Sequence, residues 1–164
     1  EDYKGQEVTL LAILKGAFVF AADLGRAIVK AGHSKLDCEF MKTVTYEEGV
    51  RSLDDTLNEV KISLKPRRLK GRHVLIVEDM LDRGVTLTKV KDYLLNDVEI
   101  ASLKTCVLLK KELENPSDVI AKLREQIAPE YIGFTIPEVW VAGYGLDATG
   151  EDMRFLPHVV SIKS

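Results

Sequence analysis

The sequence predicts an α/β protein with a central, mostly parallel twisted sheet flanked by helices, formed by a single domain over residues 1–164. Apolar strand segments alternate with amphipathic helical segments along the chain. The first strand segment, at 8–14, is nearly all apolar, as a strand covered on both faces must be. The chain has no internal repeat and no Pro-, Gly- or Ser-rich linker, and its 164 residues suit one domain.

The alternation begins with a strand at Val8–Leu14 and a helix that starts at Phe18 and stops at Gly32. A strand follows at 36–46. Residues 47–58 are polar and aperiodic, and an irregular stretch of this length is typical of a functional loop. The remaining predicted elements are, in order, a strand at 73–78, a helix at 86–95, a strand at 102–111, a serine-capped helix at 117–127, and strands at 131–136, 139–145 and 158–162.

Composition and charge exclude several classes of protein. The 23 basic and 26 acidic residues give a net charge of -3, which offers no global field for a nucleic-acid partner. Cys38 and Cys106 lie far apart without a CxxC pattern, which argues against a disulfide framework and a zinc site. No apolar run approaches the roughly 20 residues that span a bilayer. We therefore expect a cytoplasmic protein without a membrane partner, although missing terminal residues leave organelle targeting open.

Residues 74–90 read VLIVEDMLDRGVTLTKV and put three acids where a buried strand ends. Parallel sheets bind ligands beyond the carboxyl ends of their strands. The turn at 82–86 offers backbone N–H groups and hydroxyls at a helix N-terminus, where anions are favoured. Acids beside a phosphate site must bind sugar hydroxyls, accept protons or work beside a divalent cation. A phosphorylated sugar with magnesium meets these conditions, and a solvated strand-to-helix turn is the structural alternative.

This stretch resembles the phosphoribosyl-pyrophosphate motif of the type I phosphoribosyltransferases, above all of their hypoxanthine-guanine branch. LKGA at 14–17 resembles the family's pyrophosphate loop, which has a cis peptide between its first two residues. TYEEG at 45–49 resembles the start of the flexible catalytic loop, and LLKK, VWVAGYGLD and RFLPHV resemble the purine pocket, its metal-binding end and the last active-site strand. The resemblance covers residues 8–163.

The resemblance implies the type I phosphoribosyltransferase fold, with a flexible catalytic loop at about 45–60 and a small hood region. C-terminal segments, and any missing N-terminal residues, would form this hood. It also implies purine salvage by magnesium-dependent transfer of the 5-phosphoribosyl group from phosphoribosyl pyrophosphate to hypoxanthine and guanine. The products are IMP or GMP and pyrophosphate, and the assembly is a homodimer or homotetramer.

Roles for individual residues also follow from the resemblance. Asp82 is the catalytic residue, as a general base or as acceptor of the purine N7 proton. Lys110 donates to the exocyclic O6 and Trp140 stacks on the purine. The set comprises the phosphoribosyl-binding Glu78, Asp79, Asp82, Arg83, Gly84, Val85 and Thr86, the pyrophosphate-binding Lys15, Gly16 and Arg154, the flexible-loop Thr45 and Tyr46, the purine-binding Lys110, Trp140, Val141 and Asp147, and the magnesium ligands Asp147, Glu78 and Asp79.

Each residue taken singly has a structural alternative. Asp82 would suit a helix cap, Lys110 a solvated strand end and Asp147 an ordinary turn. A lone tryptophan such as Trp140 is usually a core residue. The three histidines show no ligand spacing and are expected to be structural.

Two other functions stay open at the level of sequence. A ligand-sensing regulator of the same fold would keep the phosphate site and lose the base or leaving-group residues, whereas Lys110, Trp140, Asp147 and Arg154 are all present. The pairing of Lys110 with Trp140 disfavours a pyrimidine or adenine transferase. Acceptance of xanthine is left undecided, because it depends on pocket geometry.

The sequence departs from the family pattern at several places, of which Val85 is a mild change. Arg83 stands where a small Thr or Ser is usual, a position expected to contribute mainly its backbone N–H. One extra residue separates Asp147 from Arg154, which weakens the assignment of Arg154. The segment at 111–130 is longer than in many relatives, and we expect it to alter how the base pocket or a subunit contact is closed.

Overall fold

The computed structural model describes residues 2–45, 60–147 and 153–162. Tyr46 and the loop predicted at about 45–60 lie outside these residues, apart from the strand ends at either side of it. The elements are β1 (Val8–Leu14), α1 (Phe18–Lys30), β2 (Leu36–Thr45), β3 (Val60–Leu64), β4 (His73–Leu81), α2 (Val85–Asp97), β5 (Ser102–Lys111), α3 (Asp118–Gln126), β6 (Tyr131–Ile136), β7 (Trp140–Ala142) and β8 (Val160–Ile162).

The main sheet has six strands in the order β3-β2-β1-β4-β5-β6. All neighbouring pairs are parallel except β2 and β3, which are antiparallel. The predicted mostly parallel sheet is therefore confirmed. Strand β3 was not predicted, and it extends the sheet at the edge beside β2.

Alternate residues of the central strands supply two separate apolar clusters, one on each face of the sheet. Leu11 and Ile76 pack with Leu87 and Val90 of α2. Leu10 packs on the other side, in a cluster that includes Ala12, Leu75, Val77 and Ala21 of α1. This two-sided burial explains why β1 and β4 are nearly all aliphatic, because both faces of each strand are covered by a helix.

The strand order reverses between β1 and β4, which are neighbours in the sheet. The chain leaves β1 through α1 towards β2 on one side, and leaves β4 through α2 towards β5 on the other. Such a switch point opens a crevice beyond the carboxyl ends of the two strands. The segments that follow Leu14 and Leu81 therefore border one crevice.

A small second sheet consists of the antiparallel strands β7 and β8, with Trp140 opposite Ile162. Both strands are shorter than the predicted 139–145 and 158–162. The chain turns back after Ala142 because Gly143 and Gly145 adopt φ values of +90° and +100°, which only glycine adopts readily. The turn packs on the main sheet through a cluster that includes Val141, Leu146 and Leu109.

The helices stay on the surface of this sheet. In residues 2–45, 60–147 and 153–162, no helix is long and apolar enough to cross a membrane.

Candidate active site

The loop after β1 lies against the acids at the end of β4. The peptide bond between Leu14 and Lys15 is cis, as the family resemblance implies. Gly16 packs so closely on Asp79 that a Cβ at residue 16 would overlap the Asp79 carboxylate. Lys15 is exposed beside this contact. The crevice thus brings the predicted pyrophosphate loop next to the predicted ribose-binding acids.

Glu78 and Asp79 form a pair of carboxyl groups in a poorly solvated position. Glu78 is only 8% exposed, and its Oε2 has no hydrogen-bond partner among the residues that the structure describes. Burial, followed by the charge of Asp79, raises the pKa of Glu78 well above its usual range. Burial also raises the pKa of Asp79, and a hydrogen bond from Glu78 and the charge of Arg154 oppose that rise. The pair is therefore ready to bind donors or a cation.

The turn after β4 leaves the start of α2 open to a ligand. Gly84 is the N-cap residue at φ 89°, and no side chain in the described part of the chain caps the helix. The alternative role of Asp82 as a helix cap is therefore wrong. Arg83 is exposed, and Thr86 lies in the first turn of α2. Uncapped N–H groups at a helix N-terminus favour an anion such as phosphate.

A lysine, an aspartate and a tryptophan meet at the other end of the crevice. The Lys111 Nζ atom lies 3.1 Å from Asp82 Oδ2 and 5.4 Å from the centre of the Trp140 ring. Lys111 is 5% exposed, whereas Trp140 is 64% exposed. Trp140 is therefore no core residue, and its ring is available to a planar ligand. Val141 is buried next to it.

Lys110, the lysine predicted to bind the base, lies one residue earlier on β5. It pairs with Leu81 across the sheet and lines a cavity of about 640 Å³ below α3, together with Glu112, Arg124 and Glu125. Lys110 is partly buried there. The ammonium group that contacts Asp82 belongs to Lys111, a residue that the sequence analysis missed.

The turn after β7 closes the pyrophosphate end of the crevice. A Cβ at Gly145 would overlap the carbonyl oxygen of Gly16, so this turn touches the first loop directly. Arg154 Nη1 donates to the Gly145 carbonyl at 2.8 Å, and Nη2 donates to Asp147 Oδ2 at 2.5 Å. The structure therefore unites Gly16, Asp79, Asp147 and Arg154, and the extra residue before Arg154 does not displace it from this group.

Comparisons with known proteins agree with this geometry. The model of the phosphoribosyl transferase domain matches residues 1–149. The chain is 35% identical to the hypoxanthine-guanine phosphoribosyltransferase of Dictyostelium discoideum over 164 residues, covering 99% of this chain and 83% of that protein. It is 38% identical to the hypoxanthine phosphoribosyltransferase of Escherichia coli strain K12, with 97% and 81% coverage. The chain belongs to the phosphoribosyltransferase family.

A solved structure confirms the fold of this phosphoribosyltransferase. The hypoxanthine phosphoribosyltransferase of Staphylococcus aureus superposes with a TM-score of 0.78 at 32% identity, covering 99% of this chain and 79% of that one. The predicted type I phosphoribosyltransferase fold is thus confirmed.

Sequence reasoning missed two features of the phosphoribosyltransferase site. Lys110 and Lys111 are both basic and end the same strand, so composition gave no means of choosing between them. Successive strand residues point to opposite faces, and only the strand register decides which of the two faces Asp82. The close approach of Gly145 to Gly16 was also missed, although GYG after a short strand indicates a tight turn.

Proposed function

We propose that this phosphoribosyltransferase transfers the 5-phosphoribosyl group of phosphoribosyl pyrophosphate to hypoxanthine and guanine in purine salvage. The products are IMP or GMP and pyrophosphate. The observation that supports this best is the Lys111–Asp82 ion pair beside the exposed Trp140 ring, with the acid pair of β4 before Asp82 in the chain and the open start of α2 directly after it. The names of the relatives point to the same bases.

The phosphoribosyl end of the site is proposed to bind by complementary chemistry. Glu78 and Asp79 accept hydrogen bonds from the two ribose hydroxyls. The turn from Asp82 to Thr86 binds the 5-phosphate through backbone N–H groups, so the side chain of Arg83 is not required. Arg154, Lys15 and Gly16 bind the pyrophosphate, since a guanidinium donates to two phosphate oxygens at once.

The reaction is attack by a purine nitrogen on C1 of the ribose, with cleavage of the bond between C1 and the pyrophosphate oxygen. The electron pair of that bond leaves with pyrophosphate, and the proton on the purine passes to Asp82 or is shared with it. Trp140 holds the purine plane and Val141 contacts its edge. Catalysis then comes from positioning and from charge stabilisation, and closure of the predicted catalytic loop would exclude water.

Magnesium fits the acids of this site. Glu78 presents a buried carboxylate oxygen that has no partner within residues 2–45, 60–147 and 153–162, and it lies next to Asp79. Magnesium characteristically binds one or two carboxylates together with substrate phosphates. No cluster of three or more metal-binding side chains occurs among the described residues, so Glu78, Asp79 and Asp147 do not form a preassembled three-ligand site and would each bind the ion together with substrate oxygens. We propose Glu78, Asp79 and Asp147 as its ligands. When bound, magnesium offsets the negative charge that develops on pyrophosphate.

Three further features stay predictions. Thr45 and Tyr46 would begin a loop that closes over the sugar. The protein would form a homodimer or homotetramer, and it would act in the cytoplasm.

Base preference provides the first test. Purified protein is incubated with phosphoribosyl pyrophosphate, magnesium and one base at a time: hypoxanthine, guanine, xanthine or adenine. We expect IMP and GMP to form and adenine to remain unchanged, while the xanthine result defines the remaining specificity. Turnover of adenine at a rate similar to hypoxanthine would overturn the 6-oxopurine assignment. Binding of phosphoribosyl pyrophosphate without any turnover would instead support the regulator.

A further inference from the structure

The segment between β5 and β6 contacts both parts of the chain that bring Asp82 and Lys111 together. The Nη2 atom of Arg124, in α3, donates a hydrogen bond of 2.5 Å to the main-chain carbonyl of Lys111. Ile127, directly after α3, packs on the turn before α2 so closely that a Cβ at Gly84 would overlap its side chain. Helix α3 therefore bridges the end of β5 and the phosphate-binding turn.

The hydrogen bond from Arg124 holds Lys111, a residue that pairs with a neighbouring strand on one side only. Pairing between β4 and β5 ends with Leu81 opposite Lys110. Lys111 lies one residue further on and pairs only with Ile136 of β6 in the described sheet. The Arg124 guanidinium holds the backbone of Lys111 where that β4 pairing has stopped. The position of the Lys111 ammonium beside Asp82 therefore depends on a contact from outside the sheet.

Helix α3 has its own attachment to the protein body, independent of Arg124. Leu123 is buried, and Ile127 belongs to the core cluster that includes Leu87. Lys91 of α2 also donates to the Ile127 carbonyl at 3.4 Å. Loss of the Arg124 guanidinium should therefore leave α3 in place while releasing the end of β5.

We propose that Arg124 is a positioning residue for the purine site, which it serves by holding the Lys111 backbone so that the Lys111 ammonium lies between Asp82 and Trp140. This inference rests on the proposed function, because it assumes that the purine binds among these three side chains. Arg124 itself contacts neither the purine nor the sugar. It acts through Lys111, and so its loss should weaken base binding more than binding of the phosphoribosyl donor.

The test compares Arg124→Met, which keeps the alkyl packing and removes the guanidinium, with Arg124→Lys, which keeps a cationic donor. Lys122→Met is the matched control, because Lys122 is exposed on the same helix. R124M removes a hydrogen bond from a charged group, so it should raise KM for hypoxanthine about tenfold or more. We expect KM for phosphoribosyl pyrophosphate to stay within about twofold, since its contacts lie elsewhere. R124K should recover most of the loss.

Fluorescence gives a readout that does not depend on activity. Trp140 is the single tryptophan of the chain, and the Lys111 ammonium lies 5.4 Å from its ring centre. We expect R124M to change Trp140 emission in the same direction as Lys111→Met, and K122M to leave it unchanged. Unfolding midpoints of all variants establish that each one folds.

The outcomes separate the inference from the proposed function. If R124M matches the wild type in base KM and in Trp140 emission, the positioning role is wrong. If R124M raises both KM values equally, Arg124 supports the whole fold rather than Lys111. If the wild type is inactive with every base and R124M still shifts the emission of Trp140, the positioning of Lys111 stands while the proposed function fails.

Discussion

Glu78 is an ionisable residue held in an environment that disfavours its charge. Its carboxyl group is buried, its Oε2 atom lacks a partner among the described residues, and its pKa lies well above the ordinary value of 4.5. A carboxyl group whose pKa is higher in the folded state binds more protons when folded than when unfolded. The free energy of unfolding therefore falls as pH rises above about 4.5, until the folded group has also ionised.

This fall in the free energy of unfolding with rising pH leads to a prediction for Glu78→Gln in the absence of ligand. At pH 8 the variant should be more stable than the wild type, by about 1–3 kcal/mol, because a buried carboxyl group beside the acidic Asp79 has been replaced by a neutral amide. The difference should shrink as the pH falls towards 4.5, where the folded-state carboxyl of the wild type is neutral and the unfolded-state carboxyl is only half ionised. Denaturant unfolding with EDTA between pH 4.5 and 8 measures it.

The exposed Glu112→Gln supplies the control for this experiment, since Glu112 lies outside the buried pair. It should show no comparable pH-dependent difference from the wild type. A difference for E78Q that is constant over this pH range would contradict the ionisation argument. Activity should fall in E78Q throughout, because Gln cannot accept from ribose hydroxyls as a carboxylate does.

Lys110 and Lys111 offer a second test at the scale of single residues. Lys111 contacts Asp82 and Trp140, whereas Lys110 lines the cavity below α3. We expect Lys111→Met to lower kcat/KM for hypoxanthine about 100-fold, the size of effect for one charged hydrogen bond of about 3 kcal/mol. Lys110→Met should lower it less than about threefold. The reverse order in initial-rate kinetics would restore the original assignment of Lys110.

Helix α1 contains a glycine at a position that would accept a larger residue. Gly25 lies within the helix, and a Cβ there would lie 3.5 Å from Leu10 Cδ1 and 3.7 Å from Leu36 Cδ2, which are ordinary contacts. Glycine in a helix interior is less favourable than alanine by about 0.5–1 kcal/mol. Gly25→Ala should therefore raise the free energy of unfolding by about that amount, with kcat/KM unchanged, as denaturant unfolding and initial rates will measure.

Gly133→Ala is the comparison for Gly25→Ala, because Gly133 lies in a strand where there is no room for a Cβ atom. A Cβ at Gly133 of β6 would overlap the main-chain carbonyl of Leu108 on the neighbouring strand, so the substitution must displace backbone. We expect it to destabilise the protein. If both alanine variants changed stability in the same direction, the local packing described for one of these glycines would be incorrect.

The elements differ in how readily the sequence predicts them, for physical reasons. Strands β1, β4 and β5 are covered on both faces. Each therefore contains a run of aliphatic residues, and this run predicts a buried strand from the sequence. Strand β3 was missed because it is short, two of its five residues are polar, and it depends on pairing with β2. Strand β7 was predicted too long because Gly143 and Gly145 form a turn rather than part of a strand.

At the scale of the whole molecule, the site was largely predictable because the family motifs follow strand ends that meet at one switch point. The structure brings Arg154 near Asp79 and Lys111 near Asp82, and the roles that the resemblance implies for these residues stay predictions. Lys111 and Arg124 could not be predicted, since their roles depend on strand register and on how α3 packs. Strand register and helix packing arise between elements that are distant in the sequence, so a local sequence pattern does not predict them.

Ligand binding should stabilise the whole domain, because both ends of the crevice join separate parts of the chain. With magnesium present and phosphoribosyl pyrophosphate at 100 times the Kd of this donor, the free energy of unfolding should rise by about 2.7 kcal/mol. This corresponds to a rise in Tm of about 5–10 °C. In EDTA the rise should be less than half of this, because Glu78 and Asp79 then face a polyanion without a cation between them. Thermal unfolding with each component omitted in turn provides the measurement. An equal rise in Tm in EDTA would show that Glu78 and Asp79 bind only the ribose hydroxyls. The proposed magnesium site beside Glu78 would then be wrong.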